Sequence, residues 1–324
     1  MILFMIKLTA YVQARRLKQL SWLMFLPLVV VPYLSPYHVS SHILGPGLTE
    51  NDTTAIFAFL GLSFVAIKSF VIVREAIAGI KFDKLDILTA VSFMPTYAAG
   101  PITGVKPFRR QVWEEIPEWR FLILALARLG WGMAYFLVFR KFAAQLDLSW
   151  GGSFENLIDM YRDFVVLYFD FAGYTSIAIA TAMFFGISLP ENFKAPFLAT
   201  SVQDFWRRWH LTLGAFFVST YLFKPLVRAY GNTTFSIFAA FTIIGLWHVF
   251  SLPYFIWGLA HGSVLALTMI WNKRISPKIP ATTKRALLPL SWMFTMTFVA
   301  FMSSFAQATN LSEALEFCKS LWVF

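Results

Sequence analysis

The chain has 324 residues, of which 58% are hydrophobic and 14% charged, with a mean hydropathy of +0.64; soluble domains are about one-quarter charged. This composition excludes an ordinary soluble domain and indicates a polytopic, all-α integral membrane protein. The net charge of +10 comes from basic residues at the ends of apolar runs, such as Arg15, Arg16 and Lys18 or Lys273, Arg274 and Lys278. That is the bias of cytoplasmic loops, so it marks topology and no nucleic-acid partner is expected. The single cysteine, Cys318, excludes an internal disulfide and a cysteine-based metal cluster. The N-terminus has no short apolar run ending in a small-residue cleavage site, so no removable signal peptide is expected.

Apolar segments follow in order at about 20–36, 54–73, 87–105, 121–139, 157–187, 209–226, 233–251, 254–272 and 286–306. With about 20 apolar residues needed per span, they predict roughly eight to ten membrane-embedded helices or half-helices. Lys7 to Lys18 put the start of the first segment in the cytoplasm, Glu50 and Asp52 face outward, and Arg74 to Lys84 return inside. Segment 87–105 has basic residues on both flanks and is interrupted by Pro95, Gly100, Pro101 and Gly104. It is expected to be re-entrant or broken, since irregular backbone at membrane depth must be buried by protein or line a wet cavity. From Arg228 one span runs to a short turn at 251–253 and the next returns to Lys273, before a basic loop over 273–285. No repeat or long soluble linker divides the chain, so a single embedded domain covering 1–324 is expected.

Ionisable residues inside such segments are candidate functional groups. His248, in IIGLWHVF, stands in a run without formal charge and shares a helical face with Phe241, Ile244 and Gly245. The glycine is expected to leave room beside the imidazole, which is either a general base for chemistry at a hydroxyl or a structural hydrogen-bonding group. His261, in IWGLAHGSV, lies one turn after Trp257; the following Gly262 suggests close helix packing and a structural role.

In QDFWRRWH, a helix would gather Asp204, Arg207 and Arg208 on one side at ion-pairing spacings, and would put Trp206 and His210 together on another. Tryptophans at headgroup level and snorkelling arginines account for most of this stretch, but less well for His210. Asp170, in YFDFAGYTS, either positions a substrate or braces a kink beside Gly173. His38 and His42 have the spacing of a metal pair, yet they sit among proline and glycine with no nearby Asp, Glu or Cys, so no metal site is expected.

The run YFDFAGYTSIAIATAMFFGISLPENFKAPFLATSVQDFWRRWHLTL, followed by GLWHVF and WGLAHG, resembles the membrane-bound O-acyltransferase (MBOAT) family. The likeness is to the bacterial branch that acetylates alginate or peptidoglycan or transfers D-alanine to teichoic acid, and PTYAAGPI, GLSFVAIKSF and FVAFMSSFAQATNLSEAL carry it further.

The resemblance implies helices around a central tunnel, a cytoplasmic acyl thioester donor (acetyl-CoA or an acyl carrier protein) and an acceptor hydroxyl on the other side. That acceptor would be an envelope polysaccharide or an exported relay transferase. It implies a multi-pass protein of the bacterial inner membrane, in contact with lipid and with no bound cofactor. His248 matches the catalytic histidine, His210 a second functional position that is His in this branch and Asn in many others, and His261 a recurring His-Gly. Asp170, Asp204, Trp206, Arg207, Arg208 and His261 are the expected substrate contacts. Val249 stands where the branch usually has glycine, and the branch usually carries further hydrophobic segments before the position matching residue 10. The alternative expectation is a non-catalytic exporter or lipid-handling protein that retains the fold.

Overall fold

The computed structural model describes residues 50–97, 100–109, 119–145 and 152–322; the first apolar segment, His38 and His42 lie outside them. The described residues are helical without a strand among them, and they form two compact units, one running to Leu137 and including Asp170–Glu191, the other comprising Val138–Phe169 and the residues from Asn192 onward.

In the first unit, α1 (Glu50–Ile77) is buried at every position from 63 to 73, as expected of a core helix that is apolar on all sides. Its one buried cation is bonded: Lys68, 0% exposed, donates to the Thr96 hydroxyl at 2.5 Å and to the Ala90 carbonyl at 3.5 Å. These bonds tie α1 to α2 (Lys84–Ser92), which opens with a reciprocal capping box between Asp83 and Asp86. Beyond α2 the prolines and glycines allow only 3₁₀ turns at Met94–Thr96 and Lys106–Phe108. The irregular stretch between them is packed inside, with Ile102, Thr103 and Val105 buried. The Glu75 carboxylate accepts the Val105 N–H at 2.7 Å, and a Cβ at Gly104 would displace that carboxylate from its place. Segment 87–105 is thus broken, and protein replaces the missing helical contacts.

α3 (Trp119–Gln145) is continuous through a π-helical stretch at Ala134–Phe139. Only 11% of its apolar window is buried, and Trp119, Ile123, Leu124, Leu126 and Trp131 are exposed. Such a surface suits hydrocarbon. α4 (Gly152–Phe184) approaches α3 at paired glycines, where a Cβ on Gly173 would lie 2.8 Å from the Phe136 nitrogen and one on Gly132 2.9 Å from that of Ile177.

The second unit holds α5 (Val202–Trp206) and a π-helical stretch, Thr212–Phe223, running into α6 (Lys224–Tyr230). Gly231 ends α6 in the left-handed conformation, φ 65°. Asn232 and Ser251 then cap α7 (Thr233–His248) and α8 (Leu252–Arg274). α9 (Ala281–Ala286), α10 (Leu288–Gln307) and α11 (Leu311–Ser320) complete it. Among the described residues four helices are long and apolar enough to cross a membrane, in α3, α4, α8 and α10, with α7 a shorter apolar helix.

Candidate functional site

The antiparallel pair α7 and α8 is joined only by residues 249–251, and its close packing rests on glycine. A Cβ at Gly258 would lie 2.6 Å from the Phe241 carbonyl, and one at Gly262 2.9 Å from the Phe238 Cα. A Cβ at Gly245 would collide with the Tyr254 carbonyl. This corrects the expectation that Gly245 opens space beside His248, because α8 backbone occupies that space. Access to the imidazole instead follows from its place as the last residue of α7, before the extended Val249, where it is half-buried. Trp247, Trp257 and Tyr254 surround it at ring-centroid distances of 4.8, 5.7 and 6.0 Å.

Trp257 also packs on His261, with centroids 4.5 Å apart. His261 is 2% exposed and accepts the Trp206 indole N–H on Nδ1 at 3.1 Å. An accepting Nδ1 leaves Nε2 as the protonated nitrogen of a neutral imidazole. The assignment is by hydrogen bonding.

The helical projection through QDFWRRWH fails at its end. α5 stops at Trp206, residues 207–210 turn away, and His210 takes a left-handed backbone with φ 43°. Trp206 and His210 therefore share no helical face. The Asp204–Arg208 pair does form, with Nε to Oδ2 at 2.9 Å, and Arg208 also donates to the Lys194 carbonyl at 3.3 Å. Arg207 is exposed.

The headgroup-anchor reading does not hold for Trp209, which is buried, while Trp206 is partly buried. Trp206 packs against Phe241 and Trp257, and Trp209, 8% exposed, is enclosed by Phe164, Phe193 and Phe205. Aromatic faces that find partners inside the unit have no need of the interface.

His210 itself is 4% exposed. Trp257 links the two histidine segments, since its ring lies 5.8 Å from that of Trp206, at the start of the His210 turn, and 5.7 Å from that of His248. Asp170 belongs to the first unit and is half-buried on α4, which stays helical through it. Gly173 serves the approach of α3 there.

Two elements escaped the sequence reading. Asn192, within PENF, is 0% exposed and accepts from Thr212 and Leu211. Arg128 forms a two-point pair with Glu191 at 2.5 and 2.6 Å. A cation inside an apolar span was a legible signal for Arg128. A loop asparagine carried no comparable mark.

The MBOAT family model, describing membrane-bound O-acyltransferases, matches residues 4–309. A peptidoglycan O-acetyltransferase of Helicobacter pylori is 29% identical over 92% of this chain and 55% of its own length. A teichoic acid D-alanyltransferase of Bacillus subtilis is 28% identical over 68% of the chain and 62% of its own length. A probable alginate O-acetylase of Pseudomonas aeruginosa is 33% identical over 49% of the chain and 29% of its own length. The chain therefore spans less than two thirds of the length of these curated relatives.

Proposed function

The chain belongs to the membrane-bound O-acyltransferase family, and from that premise we propose that it moves an acetyl or D-alanyl group from a cytoplasmic thioester to a hydroxyl of a cell-envelope polymer or of a relay partner, in the bacterial inner membrane. The observation that carries this reading is the place of His248 at the end of α7, packed on Trp257, which also meets the Trp206 that leads into the His210 turn. His248 accepts the hydroxyl proton as the oxygen bonds to the thioester carbonyl carbon. Collapse of the adduct breaks the carbon–sulfur bond, and the leaving thiolate takes the proton back, giving an ester and a free thiol. General-base help of this kind is worth about 10²–10⁴-fold.

His210, buried and held in a rigid turn, orients the donor or acceptor or stabilises the charge that develops on the carbonyl oxygen. Arg207 is exposed and suits an anionic donor such as coenzyme A or a carrier protein. Arg208 is engaged by Asp204 and Lys194, so the Asp204–Arg208 pair shapes the turn that carries His210. Trp206 and His261 are assigned to the wall behind His248. Each of the three relatives above is named for acyl transfer or acetylation, which lends the exporter alternative no support.

The test is transfer from radiolabelled acetyl-coenzyme A and from carrier protein charged with radiolabelled D-alanine, in membranes containing the chain. His248→Ala is expected to abolish transfer from whichever donor is used. Near-wild-type turnover in folded His248→Ala protein overturns the assignment.

A further inference from the structure

His210 and Ala195 are the two non-glycine residues with positive φ among those described, at 43° and 46°. They lie on two segments that run side by side. The Leu211 N–H donates to the Asn192 carbonyl at 2.9 Å, and the Lys194 N–H donates to the Arg208 carbonyl at 2.8 Å. His210 is thus flanked on both sides by bonds to residues 192–194. A third attachment comes from the Asn192 side chain, whose Oδ1 accepts from the Thr212 hydroxyl at 2.7 Å and from the Thr212 N–H at 3.3 Å. Left-handed backbone at an ordinary side chain persists only where the surroundings over-determine it, and this set of bonds supplies that constraint.

The Asn192 amide has a defined orientation. A backbone N–H can only donate, so the atom facing Thr212 is the oxygen and the other arm is Nδ2, which is buried without a hydrogen-bond partner among the described residues. Holding Thr212 needs only an acceptor. Aspartate would provide one, but would place a buried carboxylate beside the His210 turn. Asparagine supplies the acceptor without the charge.

We propose that Asn192 is a positioning residue for His210, acting with Thr212 to hold that histidine's backbone in the turn that aims its imidazole for acyl transfer. The proposal rests on the assignment of His210 to the transfer site.

Thr212→Val, which removes the hydroxyl with little change of shape, tests the proposal even if Asn192→Ala fails to fold. With the two radiolabelled donors above, kcat is expected to fall about 10-fold or more while the donor KM stays within about two-fold. Thr212→Ser should retain wild-type kcat. Placed on His210→Ala, Thr212→Val should add less than about two-fold, because residues acting through one group are not additive. Wild-type kcat in Thr212→Val, or a loss that multiplies in full onto His210→Ala, overturns the proposal. Wild-type turnover in His210→Ala overturns the His210 assignment instead, and is read from that single variant.

Discussion

The indole N–H of Trp206 is bonded to Nδ1 of His261 across 55 positions of sequence, at 3.1 Å. The bond fastens the end of α5 to α8 immediately before the chain turns toward His210. Trp206→Phe keeps the aromatic packing and deletes the donor. It should cost about 1 kcal/mol of stability, the usual worth of one hydrogen bond. His261→Ala also leaves a buried cavity and should cost more, about 2–4 kcal/mol. Thermal unfolding of the detergent-solubilised chain, followed by loss of the monodisperse peak, separates the two.

The left-handed backbone at His210 predicts an uncommon order among substitutions. Glycine adopts this conformation freely, while alanine is disfavoured by about 1–2 kcal/mol. His210→Gly should therefore be more stable than His210→Ala, although neither supplies an imidazole and both should transfer more slowly than wild type. Asparagine is enriched in the left-handed region and retains a polar group, so His210→Asn should fold well and keep more activity than either. Equal stability of the glycine and alanine variants would show that the turn is not strained in solution.

Gly245 and Gly258 let α7 and α8 touch backbone to backbone. Main chain cannot step aside as a flexible side chain can, so Gly245→Ala or Gly258→Ala should push the helices apart and cost at least about 1–3 kcal/mol. Both variants should also lower transfer, because the hairpin carries His248 and Trp257. Gly130→Ala is the control, since a Cβ there meets nothing within 4 Å. Yield and turnover of the three variants provide the measurement.

At the start of α11, the Thr309 hydroxyl and N–H both donate to Glu313, at 2.6 and 2.8 Å, and hold its carboxyl below the usual value of 4.5. A depressed carboxylate contributes stability that is present above its unfolded pKa and lost as pH falls through the folded one. The melting temperature of wild type should exceed that of Glu313→Gln at neutral pH, and the difference should shrink as pH falls from about 5 to 3. The effect will be small, because Glu313 is exposed and solvent screens it.

The segments around the histidines show how far sequence reading reaches into the candidate site. His248 was legible because a titratable group in a long charge-free run is conspicuous, and the glycine-rich pairing of α7 and α8 follows local rules. Gly245 was legible as a contact position but was assigned to the wrong neighbour, since periodicity names a face without saying what covers it. QDFWRRWH was misread at its end because a regular helix was carried past Trp206. The signal that stops α5 lies partly in residues 192–194, whose hydrogen bonds draw the following turn away.

The sequence alone determined that this is a multi-span helical membrane protein and that segment 87–105 must break, and it singled out His210 and His248 as candidates through their resemblance to an acyltransferase family. Hydropathy, helix breakers and ordered motifs are local and can be read in one dimension. Tertiary structure alone decided the burial of Trp209, the packing of Trp206 on Phe241 and Trp257, the left-handed turn at His210, and the side-by-side course of 192–194 and 208–211. Those features depend on partners distant in the chain, and a backbone conformation that costs free energy on its own is held only when such partners are in place.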